Sequence, residues 1–255
     1  MLALLIIAAM RSPRIDYPGA FHHVMSRGNG KQDIFLTDSD RQVFLTILSS
    51  VVAECSWICH SYCLMGNHFH LLIETPAGGL AEGMQRLNGT YGTKFNTRHS
   101  RIGHVMQGRY TARLIKDDDD FLVVARYAAL NPVKAKFVSD PQEWRWSSYR
   151  ASTGLSPIPS FLQTELTLAL FSPDATNARR EFRTFVLAAL EDAAAGELDH
   201  RPSLAALFSS PGAGPENTPV MIDAHHHFGY SMLEIADFLG VSNATVCRRI
   251  KAAIK

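Results

Sequence analysis

Apolar residues follow two different spacings through the first half of the chain. Four stretches are predicted to be β-strands: 20–27, 57–65, 66–74 and 109–116, the last of which has apolar residues at alternate positions. Apolar positions three and four residues apart, which are typical of helices, cover three others: 38–54, 80–98 and 117–131. The last of these helices is expected to end before Pro132, because the residue preceding a proline disfavours helical geometry.

The order of these elements predicts a fold class. Before the last helix it reads β-α-β-β-α-β, which is the split β-α-β pattern of a ferredoxin-like fold. We therefore expect an α+β domain whose sheet is antiparallel and carries both helices on one face. The Gly66-Asn67 pair between the second and third strands predicts a tight hairpin.

The second half of the chain is predicted to be mostly helical. Helices are expected at 161–171, 175–194 and 201–208. Composition indicates linkers at 152–160 and 209–219.

The C-terminal residues have the pattern of a helix-turn-helix. One helix is expected to end at Leu239, Gly240 makes the turn, and a second helix begins at Asn243. The second helix carries candidate contacts to duplex DNA, namely Thr245, Arg248 and Arg249.

These patterns divide the chain into four regions. They are a sheet domain (14–151), a helical extension (161–208), a linker (209–219) and a helix-turn-helix region (220–255). Residues 1–13 are expected to contribute no fold. Their apolar stretch is about half as long as a membrane span and no basic residue precedes it. A signal peptide is the alternative, but a natural start at Met10 is the preferred interpretation.

Composition narrows the class of protein. The hydrophobic fraction of 46% and the charged fraction of 19% are those of a soluble globular protein. The net charge of +1 conceals a basic stretch, 81–116, which holds seven Lys and Arg residues and one acid. A local basic surface of this kind binds phosphates, although such a stretch is more often a solvated face. The four cysteines lack the spacing of a zinc site or a disulfide framework.

Two pairs of residues are candidates for chemistry. His68 and His70 share one face of a strand about 7 Å apart, so they could bind one metal ion. Most histidine pairs at this spacing are ordinary strand residues, and the pair alone does not decide between the two interpretations. Tyr127 and Asn131 are four residues apart and therefore share one helical face.

Four motifs occur in order along the chain. They are YPGAFHHVMSRGN from Tyr17, LMGNHFHLL from Leu64, QGRY from Gln107 and RYAALNPVKA from Arg126. Over roughly residues 14–154 these motifs resemble the REP-associated tyrosine transposases, which belong to the single-tyrosine HUH transposases. Gly66 stands where the family pattern commonly has a proline.

The resemblance joins the two pairs into one site. It implies that His68, His70 and Asn131 bind a divalent ion, Mg²⁺ or Mn²⁺, and that Tyr127 is the nucleophile. The activity it implies is cleavage and transfer of single-stranded DNA beside a palindromic hairpin, through a 5′-phosphotyrosine, in DNA transposition or the processing of REP elements.

The resemblance also suggests where DNA is bound and where the protein acts. Arg27, Asn29, Arg109 and Arg113 are the candidate contacts to the hairpin or its backbone. The expected location is the bacterial cytoplasm, in association with the nucleoid and not with a membrane. Family members act either as monomers or as homodimers, so the oligomeric state stays open.

Two other functions compete with this interpretation. The first is a DNA-binding regulator in which the helix-turn-helix is the working part and the nuclease domain is inactive. The second is a zinc hydrolase that uses His68, His70 and a further ligand. The sequence contains no HExxH motif and no partner carboxylate at a telling spacing to support it.

Overall fold

The structure is a computed structural model. It describes residues 16–194, 204–208, 217–226, 230 and 232–253, so the expected unstructured start, 1–13, and most of the second linker lie outside the described residues. The chain forms two compact units, one of which is Ile15–Ala193, and the other is built from described residues that follow it.

The first unit is built on a sheet of four antiparallel strands in the order β2-β3-β1-β4. The strands are β1 Ala20–Arg27, β2 Ile58–Leu64, β3 His68–Thr75 and β4 Thr111–Leu114. This arrangement confirms the predicted α+β, ferredoxin-like class. The two central strands, β1 and β3, pair along their whole length, which sets Arg27 opposite His68 and Met25 opposite His70.

Helices α1 (Asp38–Glu54) and α2 (Leu80–Arg98) cover one face of the sheet, as expected. Phe44 of α1 and Leu87 of α2 share a core with Phe69 and Leu71, which occupy alternate positions of β3. Burial of these side chains removes apolar surface from water and is the main force that holds the helices on the sheet. Because strand side chains alternate, His70, which lies between Phe69 and Leu71, faces the opposite side of the sheet.

Helix α3 (Asp118–Lys134) covers the opposite face, where Phe121 and Val124 pack on Leu72 of β3. It begins at its N-cap Asp117, as expected, but the prediction that it ends before Pro132 is wrong. The proline lies inside the last turn, and the backbone NH of Ala135 still donates to Asn131. A proline removes a single backbone donor, and here its buried ring belongs to the core.

Three further helices complete the first unit: α4 Tyr149–Ser152, α5 Glu165–Ala169 and α6 Ala175–Ala194. Helix α5 is shorter than the helix predicted over 161–171. Two short 3₁₀ turns lie at Asn29–Lys31 and Pro141–Glu143. Phe182 and Val186 of α6 belong to the same core as α3, so part of the expected helical extension packs on the sheet domain.

The second unit is small and helical. Its helices are α7 Leu204–Leu207, α8 Thr218–His226, α9 Met232–Leu239 and α10 Asn243–Ala253. Side chains of α8, α9 and α10 form a separate core, among them Met221, Ile235 and Val246. Of the helices described in either unit, none combines the length and the apolar character needed to cross a membrane.

Candidate active site

Strand β3 presents two imidazoles to helix α3. His68 and His70 lie on the face opposite Phe69, and their ring centroids are 5.0 Å apart. Phe69 is fully buried in the core on the other side of the sheet. The alternation of the strand therefore separates the apolar residue, which stabilises the fold, from the two polar residues, which face the site.

Helix α3 brings the other two predicted residues to this face. The Tyr127 ring lies 5.3 Å from that of His70 and is 39% exposed, so the phenol is accessible from solvent. The side-chain NH₂ of Asn131 donates to the carbonyl of Tyr127 at 2.9 Å. This bond orients the amide and leaves its Oδ1 as the atom that can bind a cation.

A third histidine, His23 of β1, completes the cluster. Its Nε2 lies 3.0 Å from Nδ1 of His70, and its ring is 5.9 Å from Tyr127. The sequence motif contains His22 and His23 side by side and does not show which of them faces the site. His22 is buried on the other face of the sheet, 3.9 Å from Asp16, because neighbouring strand residues point in opposite directions.

A hydrogen bond fixes which nitrogen of His68 is available. Nδ1 of His68 lies 2.7 Å from Oδ1 of Asn67, whose NH₂ donates to the carbonyl of Lys31. An amide oxygen only accepts, so His68 donates from Nδ1 and keeps a lone pair on Nε2. Nε2 of His70 is buried and has no hydrogen-bond partner among the described residues.

The environment keeps these rings neutral. Burial, reinforced by the positive charge of Arg27, lowers the pKa of His68 to about 4, although hydrogen bonding to Asn131 opposes the change. Burial, with Arg113 nearby, lowers the pKa of His23 to about 4. Burial also places the pKa of His70 well below its usual value. Neutral imidazoles are the form that binds metal ions.

Two imidazole nitrogens and an amide oxygen therefore meet the requirements of a divalent-ion site. The buried Nε2 of His70 would gain the partner that it lacks. Among the described residues, no group of three His, Cys, Asp or Glu side chains is arranged as a metal site. A third protein donor beside His68 and His70 would have to be of another type, and the amide oxygen of Asn131 is such a group.

Lys134 is a residue of this site that sequence reasoning missed. Its ammonium group lies 5.1 Å from the centre of the Tyr127 ring, within the range of a cation–π contact. The contact exists because α3 continues through Pro132, which places Lys134 two turns after Tyr127 on the same face. The spacing of seven residues was visible in the sequence, but the expected end of the helix concealed it.

The predicted DNA contacts occupy different settings. Arg27 and Asn29 are exposed beside the site, at the end of β1 and in the turn after it, and Arg109 is exposed before β4. Arg113 instead makes two hydrogen bonds to Asp120, of 2.6 and 2.7 Å, and thereby ties β4 to the start of α3.

In the second unit, the predicted contacts lie on α10. The hydroxyl of Ser242 accepts from the backbone NH of Thr245 and caps this helix, while Arg248 is exposed and Arg249 is half-buried. Gly240 has a φ of +65°, a conformation that glycine adopts readily in the turn between the helices.

Residues 18–129 match the family model described as "Transposase IS200 like". One similar solved structure is the REP-associated tyrosine transposase bound to a REP hairpin. It is 16% identical, covers 62% of this chain and 93% of its own, and has a TM-score of 0.49. Another is a candidate transposase from Deinococcus radiodurans R1, which is 16% identical and covers 46% of this chain and 95% of its own, with a TM-score of 0.35. No curated protein matches the chain.

Proposed function

We propose that the protein cleaves and rejoins single-stranded DNA beside a hairpin, with Tyr127 as its nucleophile. The match of residues 18–129 to the IS200-like transposase family model supports this proposal. The observation that carries the proposal is the position of the exposed Tyr127 ring, 5.3 Å from the ring of His70, whose buried Nε2 lacks a partner among the described residues. A phenol beside a candidate metal site is suited to phosphoryl transfer.

In the proposed reaction, the Tyr127 oxygen attacks the scissile phosphorus. A bond forms between this oxygen and the phosphorus, and the bond to the 3′ oxygen breaks. The phenol proton is balanced by the hydroxyl that forms at the free 3′ end, and the 5′-phosphate remains on the tyrosine. One phosphodiester replaces another, so rejoining is the same step in reverse and needs no nucleotide cofactor.

His68, His70 and Asn131 would hold a divalent ion, Mg²⁺ or Mn²⁺. When bound, such an ion polarises the phosphate and stabilises the charge that develops on it. The protein supplies the rest. His23 and Asn67 orient the two imidazoles, and α3 holds Tyr127 at the edge of the ligand set.

The experiment is a covalent-adduct assay. The protein is incubated with labelled single-stranded hairpin DNA and Mg²⁺ or Mn²⁺, and the products are separated on a denaturing gel. Wild type should form an adduct, Tyr127→Phe should form none, and Tyr17→Phe, which alters another exposed tyrosine, should behave as wild type. Adduct formation by Tyr127→Phe, or none by wild type across a panel of hairpins, would contradict the proposal.

We also propose that the second unit binds duplex DNA through α10. The support is a separate core under α9 and α10, a glycine turn between them, and the exposed Arg248 on the second helix. Recognition helices of this motif place such residues in the major groove. Arg248→Ala should weaken the binding of random-sequence duplexes without changing the adduct yield. Arg180→Ala, an exposed arginine of α6, is the matched control.

The competing proposal is a regulator whose nuclease domain is inactive. It is favoured if duplex binding is specific and wild type gives no adduct. For the nuclease, we propose that its role is in transposition or in the processing of REP elements. For either function, we propose that the protein acts on DNA in the bacterial cytoplasm, as a monomer or a homodimer.

A further inference from the structure

A cleft of about 530 Å³ lies between α2 and the loop that leads to β4. Its floor includes Gly89 and Gly92, which are one turn apart on α2. A Cβ at Gly89 would meet no atom within 4 Å, so the missing side chain leaves open space and does not reflect close packing. The cleft is within the size range of small-molecule sites in proteins.

The walls of the cleft combine amides with a small apolar surface. Asn29, Asn88 and Asn96 contribute the amides, and Val105 and Met106 the apolar part. The Asn88 NH₂ donates to the hydroxyl of Ser26, and its Oδ1 is buried with no partner within the described residues. A buried acceptor without a partner is costly, and a ligand that donates a hydrogen bond would satisfy it.

Charge around the cleft favours a polyanion. The segments 24–32 and 87–109, which supply all the lining residues, contain no Asp or Glu. They carry several exposed cations, among them Arg27, Lys31, Lys94, Arg101 and Arg109. A small apolar surface, amide groups and a rim taken to be the exposed cations of the flanking segments together match a nucleotide, whose base has two apolar faces and a hydrogen-bonding edge.

Backbone hydrogen bonds connect the end of β1, beside the active site, to the loop that lines the cleft. The carbonyl of Arg27 accepts from the NH of Gln107 at 2.8 Å, and Gly28 forms a bridge with Met106. Arg27 is also paired with His68 across the sheet. Arg27 thus lies at the edge of the active site, and the next two residues, Gly28 and Asn29, reach the loop and the lining of the cleft.

We propose that this cleft seats a base of the DNA strand that is bound at the active site, and that Asn88 reads its hydrogen-bonding edge. This proposal rests on the proposed function in one respect, namely that the bound strand is the single-stranded DNA held at Tyr127. The base enters edge-first over Gly89 and Gly92, and the cations of the rim hold the adjoining phosphates.

The test compares the protein's affinity for a DNA strand with bases and for one without bases. Binding of the full-length protein to labelled oligo(dT) of 16 nucleotides, and to an abasic strand of the same length and charge, is measured by fluorescence anisotropy in EDTA, so no cleavage step is involved. Wild type should bind oligo(dT) roughly tenfold more tightly, as expected when a base is seated against protein. Gly89→Leu, which fills the cleft, should reduce this ratio at least fivefold and leave abasic binding unchanged.

Thr90→Leu is the matched control, because Thr90 is exposed on the same helix and does not line the cleft. Asn88→Ala should reduce any preference among oligo(dT), oligo(dA) and oligo(dC). The proposal is overturned if Gly89→Leu keeps the wild-type ratio, or if it weakens both strands equally, since the cleft would then hold only backbone. Failure of the adduct assay leaves this measurement unaffected, so the two proposals fail separately.

Discussion

His23 and His70 are joined by a hydrogen bond of 3.0 Å between Nε2 of the first ring and Nδ1 of the second. They lie on neighbouring strands, 47 positions apart in the chain, and their rings also stack. This contact engages Nδ1 of His70, whose Nε2 is buried without a hydrogen-bond partner among the described residues. His23 is therefore a positioning residue, because it acts through His70.

The first prediction concerns this contact. His23→Ala frees the His70 ring to rotate, and we expect adduct formation and Mn²⁺ affinity to fall by about 10- to 100-fold. His23→Gln keeps a hydrogen-bonding group at this position and should restore much of both. Mn²⁺ affinity is measured by calorimetry and adduct formation by gel. Wild-type Mn²⁺ affinity in His23→Ala would show that the contact does not orient the ligand.

The second prediction concerns Asn67, which holds the other imidazole. Asn67→Ala removes the acceptor at Nδ1 of His68, so either nitrogen can then carry the proton. We expect adduct formation to fall about tenfold or more, whereas Asn67→Asp, which keeps an acceptor, should lose less. Thermal unfolding of both variants separates this effect from loss of the bond to Lys31. Equal losses in the two variants would argue against the orienting role.

The third prediction concerns pH and the carboxylate of Asp40. Burial raises its pKa, but the bonds from His99 and Thr37 outweigh this and lower it below the usual value. The unfolded chain thus binds the proton more tightly, and the stabilisation is present above the ordinary Asp pKa and is lost as pH falls through the lower folded value. Asp40→Asn should lower the free energy of unfolding by about 1 kcal/mol at pH 7.

The pH dependence of the unfolding free energy separates the charge of Asp40 from its packing. The difference between wild type and Asp40→Asn, measured by urea unfolding, should begin to shrink below the ordinary Asp pKa of about 3.9 and shrink further as pH falls through the lower pKa of the folded state. A difference that stays constant down to pH 2 would assign the effect to packing and not to charge.

The fourth prediction compares two glycines of α2. A Cβ at Gly83 would lie 2.1 Å from the Trp57 ring, whereas one at Gly89 meets nothing within 4 Å. Gly83→Ala should lower the free energy of unfolding by about 1–3 kcal/mol through overpacking. Gly89→Ala should raise it by about 0.5–1 kcal/mol through helix propensity. Urea unfolding measures both, and equal changes would contradict the packing difference.

The same two glycines show where sequence reasoning ends. In the sequence both are simply weak helix residues, because helix propensity depends on the residue type alone. Only the packed helix shows that one meets Trp57 and that the other opens into a cleft. Pro132 gives a similar lesson, since the rule that predicts a helix end before proline was overridden by packing of the last turn, and Lys134 was missed as a result.

The sequence by itself determined the fold class and the four central residues of the candidate site. Strand and helix periodicity are local properties, so the placement of His68 with His70, and of Tyr127 with Asn131, on shared faces could be predicted from spacing. The tertiary structure decided what lies between distant segments. It chose His23 over His22, fixed the protonated nitrogen of His68 through Asn67, and formed the cleft beside α2. These features depend on strand register and loop packing, which no local pattern encodes.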